Sequence, residues 1–427
     1  MVERLLLIPL VNLLAGGVIY LKKGGNKMVK KLILISLVIL LAGGVIFISS
    51  ATPAAAAKTL NIGAIYSLTG LGSEVEIVMR NGAQLCQEWI NEKGGLTIGG
   101  EKYLINLIVE DQKGNVDGAV AAAIKLVERD QVKFIIGQVV PDVVMAVASV
   151  TEPAKVLRSS NSVGIPVIAT PKTPYTFRPC PTVDPVQIMA NYDYLHDAYP
   201  HVKTVALMNP DEPGGHFFMS VSEQQAQGHG FKVVAKELHN PQETQDFYPI
   251  WTKVLSTKPD AVDTGAGFPI PSGLKFKQGR ELGFKGPIFS HTPVELYTIL
   301  DIAGKDLSTD YFNSSLDIQS PNVTPMIKEI QKRWEAKFKS RFMFESAQGW
   351  DAVWVLSQAI EAAQSLDPTA VKTAWENMPS VKTSFGPGHM GGLKTFGVNH
   401  IVVRPTPISR LENGKVELIK WYTPEIP

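Results

Sequence analysis

The residues of this sequence that could do chemistry form no catalytic pattern. It holds no Gly-x-x-x-x-Gly-Lys-Ser/Thr phosphate loop, no Gly-x-Ser-x-Gly nucleophile elbow and no His-Glu-x-x-His zinc helix. Gly70-Leu71-Gly72 lacks the third glycine of a dinucleotide fingerprint. The eight histidines are scattered without metal-ligand spacing, and His389-Met390 sits among glycines, as expected of a loop rather than a copper site. An enzyme, a metal and a cofactor are all unexpected.

What the chain offers instead is a set of polar groups at the ends of expected strands. Ser73 and Glu74 follow the first strand, Gln138 and Asp142 the third, and Thr170, Lys172 and Thr173 the fourth. The second half adds Asn209 and Asp211, then Phe268, then His291 and Thr292. A small ionic ligand needs donors for a carboxylate and acceptors for an ammonium, and strand-end loops and helix N-termini supply both. Any one of these residues alone reads equally as a solvated loop side chain. Their common placement on one side of a sheet carries the binding-site expectation.

The elements that must position them begin with an alternating run, Leu60, Ile62, Ala64 and Tyr66, which has the period of a strand. A polar turn, Ser67 to Glu74, leads into a helix with Val78, Gly82, Cys86, Trp89 and Ile90 at three- and four-residue spacing, ended by Gly94-Gly95. Strands follow at 103–111, 134–136 and 165–168. Helices fall over 118–130 and from a cap at Asp142 through Val150. Phe177-Arg178-Pro179-Cys180-Pro181 breaks this rhythm as extended, proline-rich chain.

The alternation then restarts. Helices are expected at 185–197, from the end of the loop 209–216 to 227, and at 247–255 and 272–282; strands at 204–208, 232–237, 261–265 and 287–290. Beyond Tyr311-Phe312 come helices at 324–339 and 344–363, the latter with a core stripe of Trp350, Val353, Trp354, Leu356 and Ile360. Asp367-Pro368 opens one more, and a crossing near Pro405-Thr406 leads to 408–422. The expected fold is α/β: two doubly wound parallel-sheet lobes joined by a multi-strand hinge. Lobe 1 takes 58–179 plus 312–404, and lobe 2 takes 180–311 plus 405–427, after a leader at 1–57.

With 427 residues, two core-forming lobes are the natural division. The overall charge is +1, but residues 1–57 carry six basic groups against Glu3, which leaves the rest at −4. A mildly acidic body without a basic stripe argues against nucleic acid. Met28 to Lys31, the apolar run 32–48 and the alanines 54–57 read as a signal peptide cleaved near Lys58, the alternative being a retained anchor. No cysteine follows Leu41-Ala42-Gly43, so lipid attachment there is excluded. Residues 7–20 copy residues 34–47, which suggests a duplicated leader, a start misread upstream of Met28, or an extra membrane helix. Export permits a disulfide, yet Cys86 lies on an apolar helix face, and Cys86 and Cys180 are expected as free thiols.

The runs IGAIYSLTG, NGAQLCQEWINEKGG and INLIVEDQKGNVDGAVAAAIKLV resemble the opening of the leucine/isoleucine/valine-binding proteins, the type I periplasmic solute-binding proteins of ABC importers. The resemblance extends from about Lys58 to Trp421. It implies a small solute held between the lobes by hinge closure, ABC permease subunits as partners and an exported location. A ligand-sensing domain of a receptor or regulator is the alternative. The resemblance also makes Phe177-Arg178 the first crossing between lobes. Where amino-acid binders of the family place a serine after the third strand, this chain has Pro141 beside Asp142. The family threonine falls on Thr173, its tyrosines near Pro213 and Gly267, and its ammonium-binding acid on His291 or Thr292. These departures, with Lys172 in the loop, leave both an amino acid and a plain carboxylic acid open as ligand.

Overall fold

The computed structural model describes residues 57–162, 169–179, 185–241, 243–422 and 426. The leader, the strand expected at 165–168 and Cys180 lie outside them. Among the described residues no helix is long and apolar enough to cross a membrane.

The first lobe is built on β1 (Lys58–Tyr66), whose alternating apolar residues are all buried. It is followed by α1 (Ser73–Glu92), β2 (Leu96–Ile98), β3 (Glu101–Asp111), α2 (Val116–Ile124, continued by a π-helical turn to Arg129) and β4 (Phe134–Gly137). Then come α3 (Pro141–Thr151), β5 (Leu157–Ser160) and β6 (Thr176–Phe177). The sheet order is β2-β3-β1-β4-β5-β6, parallel except for β2 at the edge. β1 pairs with β3 in register from Lys58 opposite Tyr103 to Tyr66 opposite Asp111.

The second lobe runs α4 (Pro185–Ala198), β7 (Thr204–Pro210), α5 (Pro213–Gly228), β8 (Lys232–His239) and α6 (Tyr248–Ser256). It continues with β9 (Ala261–Asp263), α7 (Pro269–Glu281), β10 (Ile288–Ser290), α8 (Leu296–Ala303) and β11 (Tyr311–Asn313). The chain returns to the first lobe as α9 (Pro325–Lys337), α10 (Glu345–Ala363) and α11 (Pro368–Glu376), which share that lobe's core. A small antiparallel sheet follows, of β12 (Val381–Thr383), β13 (Gly386–Gly391) and β14 (Ile401–Val403), with α12 (Leu393–Phe396) between the last two strands. Finally β15 (Thr406–Glu412) and β16 (Lys415–Tyr422) add an antiparallel edge to the second sheet, in the order β16-β15-β11-β10-β9-β7-β8.

Capping accounts for several boundaries. Thr324 accepts from the Ile327 amide and Asp367 from the Ala370 amide, each with proline at the next position. Two long helices, α1 and α10, cross where Gly82 and Gly349 sit, and the indole rings of Trp334, Trp350 and Trp375 fill the surrounding core. Phe177 stacks between Trp375 and His400 at 4.4 and 4.0 Å. Arg178 is fully buried, and its backbone bridges β14 at Ile401. Among the described residues the chain passes between the lobes three times: after Phe177, after Asn313 and at Arg404-Pro405.

The structure corrects the sequence reading in places. The strand after α3 is Leu157–Ser160, whose Arg158 and two serines hid its burial. Arg158 is accommodated because its guanidinium donates to the Val144 carbonyl at 2.8 Å and to Thr176. Tyr311–Asn313 is a buried strand of the second sheet, so the return to the first lobe comes after Asn313. Asp142 is no cap: Val140 holds the cap position, Pro141 begins the helix and Asp142 is an exposed first-turn residue. The loop after β7 is two residues long, with Gly214 and Gly215 inside α5. A Cβ on Gly215 would lie 1.9 Å from the Pro210 carbonyl oxygen, so glycine lets helix and strand approach. His389-Met390 lies in a strand, and α8 had no expected counterpart. Cys86 is a buried free thiol, in accord with its place on the helix.

Candidate functional site

In both sheets the carboxyl ends of the parallel strands run into loops and helix N-termini, and these two rims face each other. Between them lies a cavity of about 120 Å³. The first lobe contributes Leu71, Val75 and Met79 around the start of α1, Val139 to Pro141 after β4, and Glu345 and Gln348 from the first turns of α10. The second contributes Pro210 and Glu212 after β7, Phe218, His239, Ala266 to Pro269 after β9, and Thr292 to Val294 after β10. A second, more open cavity of about 340 Å³ adjoins it, sharing Leu71, Pro241, Phe268 and Pro271.

The walls are mainly apolar, and their polar groups are unusual. Glu345 is 4% exposed, its Oε2 has no hydrogen-bond partner among the described residues, and burial pushes its carboxyl well above the usual range, with the nearby Glu295 adding to the effect. One turn on, the Nε2 of Gln348 is likewise buried and unpartnered. Across the cavity, half-buried Glu212 is raised by burial and then by Asp142. The His239 imidazole is driven down to about 3 by burial and then by Lys275, so it is neutral, with Nδ1 unpartnered among the described residues. Lys275 lies below the wall and is lowered to about 7 by burial; it donates to the Thr264 and Ala266 carbonyls, which fixes the loop leading to Phe268.

A buried carboxyl group also organises the first lobe's rim. Glu76 accepts from the Ser67 amide at 2.6 Å and from Gln112 at 2.9 Å, tying the ends of β1 and β3 together. Burial raises it to about 8, against these bonds and one from the Val139 amide.

Of the residues expected at the site, Phe268 lines both cavities, Thr292 the first, and Ser73 and Glu74 the second. Thr292 also accepts from the Gly267 amide at 3.0 Å. Gln138 is buried beneath the rim at φ 57°, its amide turned to the Ile136 carbonyl. Asp142 is exposed and does not line the cavity, although its charge reaches Glu212. His291 is fully buried in the second lobe, 3.3 Å from Asp263 and against Phe218, behind the wall rather than in it. Asn209 is buried and holds the Ala266 amide, while Asp211 pairs outward with His216.

Thr170, Lys172 and Thr173 are brought to the opposite end. Their turn leads through Tyr175 into the start of β6, which runs parallel to β5, so it lies at the strands' amino ends. Tyr175 donates its amide to Glu152 just past α3, and Pro171 packs on Gly397. Lys172 is exposed there and cannot reach the cavity.

The sequence model of the periplasmic binding protein family matches residues 59–415. The chain belongs to that family. A curated Leu/Ile/Val-binding protein of Rhizobium johnstonii is 28% identical over 77% of this chain and 86% of its own length. A leucine-binding protein of Thermotoga maritima shares the fold with a TM-score of 0.72, at 22% identity, covering 86% of this chain and 99% of that one. A solute-binding protein of Rhodopseudomonas palustris in complex with 3,4-dihydroxybenzoic acid gives 0.70 at 19% identity, covering 86% and 97%. As a periplasmic binding protein, the chain is a solute-binding protein of the ABC-transporter class.

Sequence reasoning missed Glu345, Gln348, Glu212 and His239 in this periplasmic binding protein. A glutamate in a helix's first turn is favourable there on electrostatic grounds alone, so Glu345 did not stand out. A signal existed in its position just ahead of the core stripe that begins at Trp350. The end of β5 was missed with its strand: Asn161 donates to the Gln348 carbonyl at 3.0 Å and Ser162 to the Val139 carbonyl at 3.2 Å, so both support the rim.

Proposed function

We propose that this protein is the exported receptor of an ABC importer of the branched-chain amino acid type, and that it captures one small solute between its lobes. The observation that carries this is the cavity walled by both lobes, with Phe268 from one and Glu345 from the other facing the same space. Closure about the three crossing segments shields the solute and reshapes the two rims, and the permease subunits read that difference. The amino acids and the aromatic acid in the relatives' names pair an apolar body with polar ends, and a mostly apolar cavity with a few polar groups suits such a body.

Mass spectrometry of what co-purifies with the exported chain, followed by thermal unfolding against a solute library, tests this. A bound solute at 100 times its dissociation constant adds about 2.7 kcal/mol of stability. A chain that carries no small molecule and is stabilised by no solute contradicts the proposal.

A further inference from the structure

The polar groups of the inner cavity are acidic or neutral. Glu345 and Glu212 face it from opposite lobes, and among the described residues no lysine or arginine lines it. The usual substitute for a cation, a ring of free amides at helix N-termini, is also reduced. Pro141 and Pro269 occupy the first positions of α3 and α7, so each of these ends offers a pyrrolidine ring where an N–H could stand. Pro210, Pro241, Pro271 and Pro293 extend the same donor-poor wall. The Oε2 of Glu345, by contrast, is a buried acceptor with no partner among the described residues.

An isolated carboxylate is costly to bury and is stabilised by a cation brought to it. A solute carboxylate entering this space would meet Glu345 and Glu212. Lys275 and Arg341, whose charges reach this wall, do not line it and are already bonded, the lysine to the Thr264 and Ala266 carbonyls and the arginine to Glu295 and Asp301. We infer that the cavity selects an apolar solute carrying a protonated amine and no carboxylate, the ammonium lying between Glu345 and Glu212 and the hydrocarbon against Phe268, Phe218 and Met79. This rests on the solute-receptor reading and narrows its ligand. Gln348, with a free donor, faces any hydroxyl or carbonyl on the same solute.

Thermal unfolding and titration calorimetry on the mature chain decide it with matched sets: 3-methylbutylamine, 3-methylbutanoate, 3-methylbutanamide and leucine, and the phenethyl equivalents. The expected result is saturable binding of the amines at least tenfold tighter than of the matching acids, amides and amino acids. Glu345→Gln and, separately, the less buried Glu212→Gln should each weaken amine binding at least tenfold without lowering the melting temperature of the free protein. Preference for the acids, amides or amino acids overturns the inference and leaves the receptor reading standing. If nothing binds and no solute co-purifies, both fall.

Discussion

Gly82 and Gly349 meet at the crossing of α1 and α10: a Cβ on Gly82 would lie 1.8 Å from the Ser346 carbonyl oxygen, and one on Gly349 1.8 Å from that of Met79. The contact sets the depth at which α10 lies on the first lobe. It therefore also sets where Glu345 and Gln348, within the preceding turn, face the cavity. Backbone atoms cannot yield as a flexible side chain can. Gly349→Ala should destabilise the chain by about 1–3 kcal/mol, although alanine is the better helix former by about 1 kcal/mol. Denaturant unfolding checks this, and an unchanged midpoint would show that the helices can separate freely.

Glu76 gives the fold a pH dependence of definite sign. Its folded value of about 8 lies above the ordinary 4.5, so the folded chain keeps a proton that the unfolded chain releases. Stability from this group is present below about pH 4.5 and is lost as pH rises to about 8, at up to about 1.4 kcal/mol per pH unit. Lys275, lowered to about 7, acts in the opposite sense between about 7 and 10.5. The test is thus the difference between wild type and Glu76→Gln over pH 5–8. The variant should show the flatter fall, and parallel profiles would mean that Glu76 is ionised in both states.

Much of the fold was legible because long apolar patterns dictate it. The alternation in β1, the stripe on α1 and that on α10 each admit one buried face. Short, fully buried strands were harder to place. Leu157-Arg158-Ser159-Ser160 looks polar, and it is buried only because Arg158 bonds to Val144 and Ser159 to the Ala352 carbonyl at 2.8 Å, partners distant in sequence. Missing that strand placed the turn of Lys172 at a carboxyl end instead of an amino end. The residues at true carboxyl ends, Phe268 and Thr292 among them, were located because strand-helix alternation marks those ends whatever their side chains.

Lys172 gives a direct check on that correction. An exposed lysine at the far end of the first sheet has no route to the ligand. Lys172→Ala should leave solute affinity unchanged and stability within about 0.5 kcal/mol of wild type. A tenfold loss of affinity in calorimetry would return the lysine to the cleft.

One solute is expected in the cavity between the lobes, and Phe268, which lines both cavities, tests its place from the second lobe. The decisive measurement is calorimetric titration of the co-purified solute into wild type and Phe268→Ala. Removing a ring from a ligand-covered wall should raise the dissociation constant at least tenfold, with one site per chain in both proteins. Equal affinities would place the solute elsewhere and contradict the account.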